Sequence, residues 1–428
     1  MPTAARRIAF QILKQVDRGG ATLADLLSGP DPQRLDSRDR AFLHELVLGT
    51  LRHRGAMDHA LSAHVDRGLD ELDGDVLTVL RLGAYQILRL RVLARAAVSE
   101  SVDLAREQAP RAGGFVNAVL RGLVRAGPPP PVDPQAEPLL WLTTEGSLPR
   151  WLAERWMARL GASGAVTRAR ALLDPPATTF RVNPRIPDAL QRVEAAGGAP
   201  VALSVPGAWR TDAGRLTELA ALGVVYPMDL GSQMVALLAK EQGLVLDACA
   251  APGGKALILG DQVSSRDLVI AAEVSPRRTR TLARLIRRWG AASAVAVCAD
   301  LLRAPFRGSF SSVLVDAPCT GLGTLSRHPD IRWRARPAEV ARHGARQKEL
   351  LESGAALVAA KGKLVYATCS SEPEENEDVV EAFLARHPEF GPEALPEWGA
   401  PFADAAFART RPEDASGDAF FAAILRRS

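Results

Sequence analysis

Leu244-Val245-Leu246-Asp247-Ala248-Cys249-Ala250-Ala251-Pro252-Gly253-Gly254-Lys255 is the stretch that decides the fold. Three apolar residues closed by an acid read as a short buried strand, the small residues after it as a turn, and the segment from Lys255 onward as a helix. That order opens a βαβ unit, and the unit recurs downstream. Leu268 to Glu273, Ala294 to Cys298, Val313 to Asp316 and Leu364 to Thr368 are further strands, with helices between them, for example Arg277 to Trp289 and Ala338 to Ala359. Residues 228–428 are therefore expected to form an α/β domain around a parallel sheet, with Asp418 to Leu425 as one more strand at its edge.

The turn after the first strand lets a ligand approach the backbone, and the helix behind it offers free N–H donors. Its spacing is neither G-x-G-x-x-G nor G-x-x-x-x-G-K-[ST], so the dinucleotide and triphosphate fingerprints are not met. Glu273 and Asp300, at the ends of the next two strands, suit a ligand with a ribose and an adenine. Asp316-Ala317-Pro318-Cys319-Thr320-Gly321 ends the fourth strand, and Cys369 with Ser370 and Ser371 ends the fifth. Two thiols at two strand ends can face one pocket. Cys249 and Cys298 are read as small packing residues, since free cysteine is among the most buried types.

The chain has 428 residues, enough for two or three domains, and 47% of them are hydrophobic, as in a soluble globular protein. No apolar segment approaches the ~20 residues of a membrane span, and the amino terminus lacks an apolar signal core, so a cytoplasmic protein with no membrane partner is expected. Four cysteines without a C-x-x-C pair argue against zinc and against a disulfide framework, and His328 has no second ligand at metal spacing, so no metal is expected. Of 53 basic residues six are lysines, an arginine excess that suits phosphate contact and base stacking.

Residues 1–127 read as all helical, from repeats such as Ile8, Ile12, Leu13 and Val16. Pro128 to Pro134 is expected to be a stiff linker at a domain boundary, with a small mixed α/β region at 135–227 beyond it. Three polar groupings are candidates for nucleic-acid contact. Asn117, Arg121 and Arg125 share one face of a helix, and Arg277, Arg278, Arg280, Arg284, Arg287 and Arg288 crowd another. Both are read first as solvated faces, the commoner case. Arg327, Arg332, Arg334 and Arg336 around Trp333 are read instead as functional, because arginines about an aromatic suit phosphate neutralisation and stacking. The acidic run Glu372 to Asp378 is read as structural, with Ser371 and Glu374 at capping-box spacing.

Taken together, Asp247 to Lys255 (DACAAPGGK), Asp316 to Thr324 (DAPCTGLGT) and Thr368-Cys369-Ser370 resemble the NOL1/NOP2/Sun-type family of RNA cytosine-5 methyltransferases. Upstream, Arg6 to Phe10, Phe115 to Arg121 and Phe180 to Pro184 resemble its bacterial branch acting on small-subunit ribosomal RNA. That branch carries a NusB-like helical domain ahead of a Rossmann-like catalytic domain, and the similarity spans nearly the whole chain. Ala256 departs from the threonine that often follows the lysine, and the residues around Gln233 depart from the family pattern.

The resemblance implies transfer of a methyl group from S-adenosylmethionine to C5 of a cytidine in small-subunit (16S) ribosomal RNA. Because C5 is a poor nucleophile, a thiolate adds to C6 first and makes C5 enamine-like. Chemistry alone leaves open which thiol attacks. The resemblance makes Cys369 the nucleophile, Cys319 the group that assists breakdown of the adduct, and Asp316 and Lys255 their neighbours in the pocket. It places Cys249, Ala250, Ala251, Pro252, Gly253, Gly254 and Lys255 at the methionine part of the cofactor, and Glu273 and Asp300 at its ribose and adenosine. RNA, not DNA, is the expected partner, and a monomer the expected state. The rival readings are a methyltransferase of transfer RNA or of another ribosomal cytidine, and a non-catalytic assembly or antitermination factor.

Overall fold

In the computed structural model of the protein, residues 2–66, 68–212, 216–306, 309–414 and 417–428 are described. The chain divides into two compact units, Met1–Pro175 with Leu325–Ala335, and Pro176–Thr324 with Arg336–Ser428. No helix among the described residues is long and apolar enough to cross a membrane.

The first unit is helical. Ala4–Arg18 buries Ala5, Ala9, Phe10, Ile12, Leu13 and Val16, the three-and-four spacing of one helix face. Ser37–Arg52, Gly74–Leu88, Ala94–Gln108 and Gly113–Ala126 add Leu43, Leu46, Leu80, Val102, Val116 and Leu120 to the same core. Asp36 and Asp73 cap two of these helices by accepting from backbone N–H groups of their first turns. The proline run does not end the unit. Pro138–Thr143 and Arg150–Ala171 belong to it, because Trp141, Leu142, Leu148, Leu152 and Trp156 are buried and Ser147 Oγ accepts from Gly55 N at 2.8 Å. The expected mixed region at 135–227 is therefore split between the units.

The second unit opens with a small antiparallel sheet of β1 (Thr178–Val182), β2 (Val201–Ala202), β3 (Ala208–Thr211) and β4 (Val225–Pro227), in the order β2-β3-β1-β4. Its main sheet contains β5 (Leu244–Asp247), β6 (Leu268–Glu273), β7 (Ala294–Cys298), β8 (Phe310–Asp316), β9 (Val358–Thr368), β10 (Phe390–Pro392), β11 (Ala403–Asp404), β12 (Phe407–Arg409) and β13 (Phe421–Arg427). The order is β11-β12-β13-β9-β8-β5-β6-β7, with β10 also on β13; β5 to β9 run parallel and β13 antiparallel to β9. This is the expected Rossmann-like α/β arrangement.

Helices cover both faces, which is why the strands read as unbroken apolar runs. Val245 and Leu314 face one core with Leu257, Leu282 and Leu285; Leu246, Val313 and Val315 face the other with Leu350, Val379 and Phe383. The last strand is not at the edge. Residues 421–425 are all buried, with β9 on one side and β12 and β10 on the other. After β5 the chain proceeds to β6 and β7 on one side, then returns for β8 and β9 on the other. The order thus reverses between β5 and β8, the place where open α/β sheets form a binding crevice at the strands' carboxyl ends.

Candidate active site

Asp316 ends β8, and Lys255 sits in the first turn of the helix Gly254–Gln262 that follows β5. Lys255 Nζ donates to Asp316 Oδ2 at 2.7 Å and to Ser232 Oγ at 2.8 Å, and lies 5.6 Å from the Phe420 ring centroid. Burial alone would lower the lysine pKa, but Asp316, Asp247 and Cys369 outweigh it and the net shift is upward. Asp247, fully buried at the end of β5, is pushed up to about 7 by burial first and by the Asp316 charge second. Around this pair lies a cavity of about 440 Å³, lined by Cys249, Ala251, Lys255, Glu273, Asp300, Asp316, Cys319 and Cys369. Sequence reasoning named all eight. It missed His343 and Arg346, from the helix Pro337–Ala355, and Phe420 just before β13; each depends on tertiary packing.

The two thiols meet: Cys319 Sγ and Cys369 Sγ are 3.2 Å apart. Parallel pairing of β8 with β9 sets Asp316 opposite Ala367, so the loops after the two strands leave the sheet side by side. Gly323 N donates to Cys369 O at 2.9 Å. Within the acidic run, Glu375 is 0% exposed. Its carboxylate accepts from Thr320 N at 2.8 Å, from Thr320 Oγ1, from Ser370 Oγ and from Gln347 Nε2 at 3.2 Å. Asn376, also buried, accepts from Thr368 Oγ1 and donates to Ser370 O at 3.0 Å. The expected capping box is not formed. Ser371 Oγ donates to Glu372 Oε1, and the helix begins at Glu377, after Glu375 has been drawn into the thiol loops.

The surroundings of the sulfurs are unequal. The Cys319 thiol is held well above its ordinary pKa by its hydrogen bond to Cys369, then by burial, and further by the charges of Cys369 and Glu375. The field of the Lys255 ammonium instead reaches Cys369. The two sulfurs thus have a cation on one side and an anion on the other, and the anion holds Cys319 as the thiol.

Other members of the 249–255 turn lie outside the cavity. Ala250 is buried in the core, and Pro252 borders a separate hollow with Tyr226 and Arg284. A side chain at Gly253 would meet Leu282 and Leu285, and one at Gly254 would meet Tyr226. Both glycines therefore serve packing; Gly253 in addition has φ 124°. Burial pushes the Cys249 thiol up, whereas Cys298, expected to be a packing residue, is exposed.

Among the nucleic-acid candidates, Asn117, Arg121 and Arg125 line one cavity of about 590 Å³ with Arg95 and Arg106. The arginine-rich segment around Trp333 departs from expectation. Arg332 is 0% exposed and donates to the carbonyls of Arg52, Ser147, Leu172 and Leu325, so it is a strut of the helical unit and not an RNA contact. Trp333 Nε1 donates to Leu51 O at 2.8 Å, its ring packs on the helical core under Arg54, and Arg334 pairs with Asp330 at 3.1 Å. Arg327, the first of the four, is half-buried.

The 16S rRNA methyltransferase RsmB/F family matches residues 234–426, and the NusB family matches residues 3–125. The ribosomal RNA small subunit methyltransferase B of Thermus thermophilus is 37% identical over 396 residues, covering 91% of this chain and 89% of that one. Among solved structures, PH0851 superposes with a TM-score of 0.82 at 23% identity over 100% of this chain and 99% of its own. NSun6 from Pyrococcus horikoshii, solved with SFG, gives a TM-score of 0.59 at 18% identity over 65% of this chain and 98% of its own. With a thiol pair and a lysine–aspartate pair at the crevice of its α/β sheet, the chain belongs to the RsmB/F family of 16S rRNA methyltransferases.

Proposed function

We propose that the protein methylates C5 of a cytidine in small-subunit ribosomal RNA through a covalent cysteine–C6 adduct, using S-adenosylmethionine. The observation that carries this reading is the 3.2 Å thiol pair in the same cavity as the Lys255–Asp316 ion pair. Methylation at an exocyclic nitrogen or a ribose hydroxyl needs no sulfur nucleophile; methylation at an unactivated ring carbon does.

The cavity suits the cofactor. Its volume lies in the range of small-molecule sites, and it carries carboxylates at the ends of two neighbouring strands. SFG in the NSun6 structure is an analogue of S-adenosylmethionine, which supports the assignment. Glu273 and Asp300 would accept from ribose hydroxyls and the adenosine, and Cys249, Ala251 and Lys255 of the turn after β5 would hold the methionine end. The cofactor supplies an electrophilic methyl group.

The chain's residues do the rest. Cys369, ionised beside Lys255, adds to C6 and shifts electron density to C5. Asp316 faces the N3/N4 edge of the base, where an acid balances that flow. Once C5 carries the methyl group it loses its proton, and the Sγ–C6 bond breaks to return the Cys369 thiolate. Cys319, 3.2 Å from the Cys369 sulfur, assists this elimination.

RNA outside the pocket is assigned to Asn117, Arg121 and Arg125 with their neighbouring arginines, and to Arg327. The protein is read as acting as a monomer. Methylation of small-subunit RNA from a strain lacking the gene, followed by mapping of the modified base, tests the reading. A new 5-methylcytidine is expected, and methyl incorporation at any other atom would overturn it.

A further inference from the structure

We propose that Glu375 is the positioning residue of the thiol pair: its buried carboxylate ties the loop after β8 to the loop after β9 and sets a negative charge beside Cys319. The inference rests on the reading of Cys319 and Cys369 as the catalytic pair. Glu375 bonds the residue after each cysteine: Thr320, by backbone N–H and hydroxyl, and Ser370, by its hydroxyl. Gln347 closes the group, its Nε2 donating to Glu375 Oε1 at 3.2 Å and to Pro318 O at 2.9 Å. Tyr366 OH donates to Glu375 O, fixing the backbone beneath.

A carboxylate with no solvent exposure ordinarily has a cationic partner. Among the described residues no ion pair involves Glu375, and neutral donors alone hold its charge. A threonine, a serine and a glutamine would hold one another without a charge, so the charge itself has an effect to exert. The titratable groups that its charge acts on include Cys319 and Tyr366. The other titratable or charged groups around that sulfur are Cys369 and Tyr366 on β9 and its loop, Asp316 on β8, Lys255 on the helix after β5, and His343 and Arg346 on the helix Pro337–Ala355. Lys255 favours ionisation on the Cys369 side, while Glu375 opposes it on the Cys319 side. The carboxylate thus helps to keep the proton on Cys319 in the resting enzyme. Removing the charge lowers the proton affinity of Cys319 and leaves Cys369 without that bias.

The test is alkylation of the reduced, full-length protein with iodoacetamide from about pH 6 to about pH 9, with each cysteine read by peptide mass spectrometry. In the wild type Cys369 is labelled first. In Glu375→Gln, Cys319 labelling moves to lower pH and the Cys369-to-Cys319 ratio falls severalfold. Glu375→Asp, which keeps the charge, restores the ratio. Thr320→Val and Ser370→Ala, which each remove a donor and leave the charge, keep the wild-type order of labelling and slow methyl transfer. An unchanged ratio in a folded Glu375→Gln protein, or equal loss in Glu375→Gln and Glu375→Asp, overturns the proposal. Because labelling needs no RNA, this failure is distinct from that of the catalytic reading, which falls if Cys369→Ala still transfers methyl groups.

Discussion

Residues 316–321 and 325–335 are separated by three residues, and the sequence suggests function for both; yet they fold into different units. The first loop opens on a cavity and brings a thiol to within 3.2 Å of another. The second buries an arginine completely against four backbone carbonyls. Polar groups that converge on open space with unequal charges around them are arranged for chemistry; polar groups that converge on one another are arranged for stability. Residue type does not separate the two cases. The destination of each donor does.

The contrast breaks most visibly at Cys369. Cys369→Ala is expected to reduce methyl transfer by on the order of 10⁴ or more while leaving thermal stability within about 0.5 kcal/mol of the wild type. Next comes Lys255→Met, which removes the cation from both Asp316 and Cys369. A loss of about 10² to 10³ in turnover is expected, because the ammonium that bonds Asp316 beside the thiols is gone. Equal turnover in Lys255→Met and the wild type would remove the lysine from the mechanism.

Arg332→Met should behave in the opposite sense. It leaves buried carbonyls without a donor, and a loss of about 3 kcal/mol in the stability of the helical unit is expected in chemical denaturation. If that variant is as stable as the wild type but binds RNA poorly, the reading of the segment as a strut fails. The smallest effect belongs to the cavity on the helical unit. Arg121→Ala should weaken RNA binding and lower the slope of affinity against salt by about one, without changing the turnover of saturated enzyme.

The strands were legible because a sheet covered on both faces needs continuous apolar runs, and Leu244 to Asp247 or Val313 to Asp316 can bury both sides only that way. The acids and thiols at strand ends came from the same pattern. What was not legible depends on partners far away in sequence. Glu375 read as one acid of a structural run at a helix start; only contact with Thr320, 55 residues earlier, makes it a clamp. Arg332 looked like a phosphate contact; carbonyls of residues 52, 147 and 172 show otherwise. The proline run looked like a domain boundary, but Trp141 and Trp156 beyond it bury themselves in the helical unit. The order of the last strands was likewise hidden, because β13 gains its interior place from the short β10 and β12, too brief to show a pattern.

The central claim is that attack starts at Cys369 and release depends on Cys319. Cys319→Ala incubated with small-subunit RNA and S-adenosylmethionine tests it most directly, with the products run on a denaturing gel. The expected result is a slow-migrating protein–RNA band whose cross-linked peptide contains Cys369. A band formed by Cys369→Ala and not by Cys319→Ala would exchange the two roles, and the absence of a band from both would contradict the covalent route.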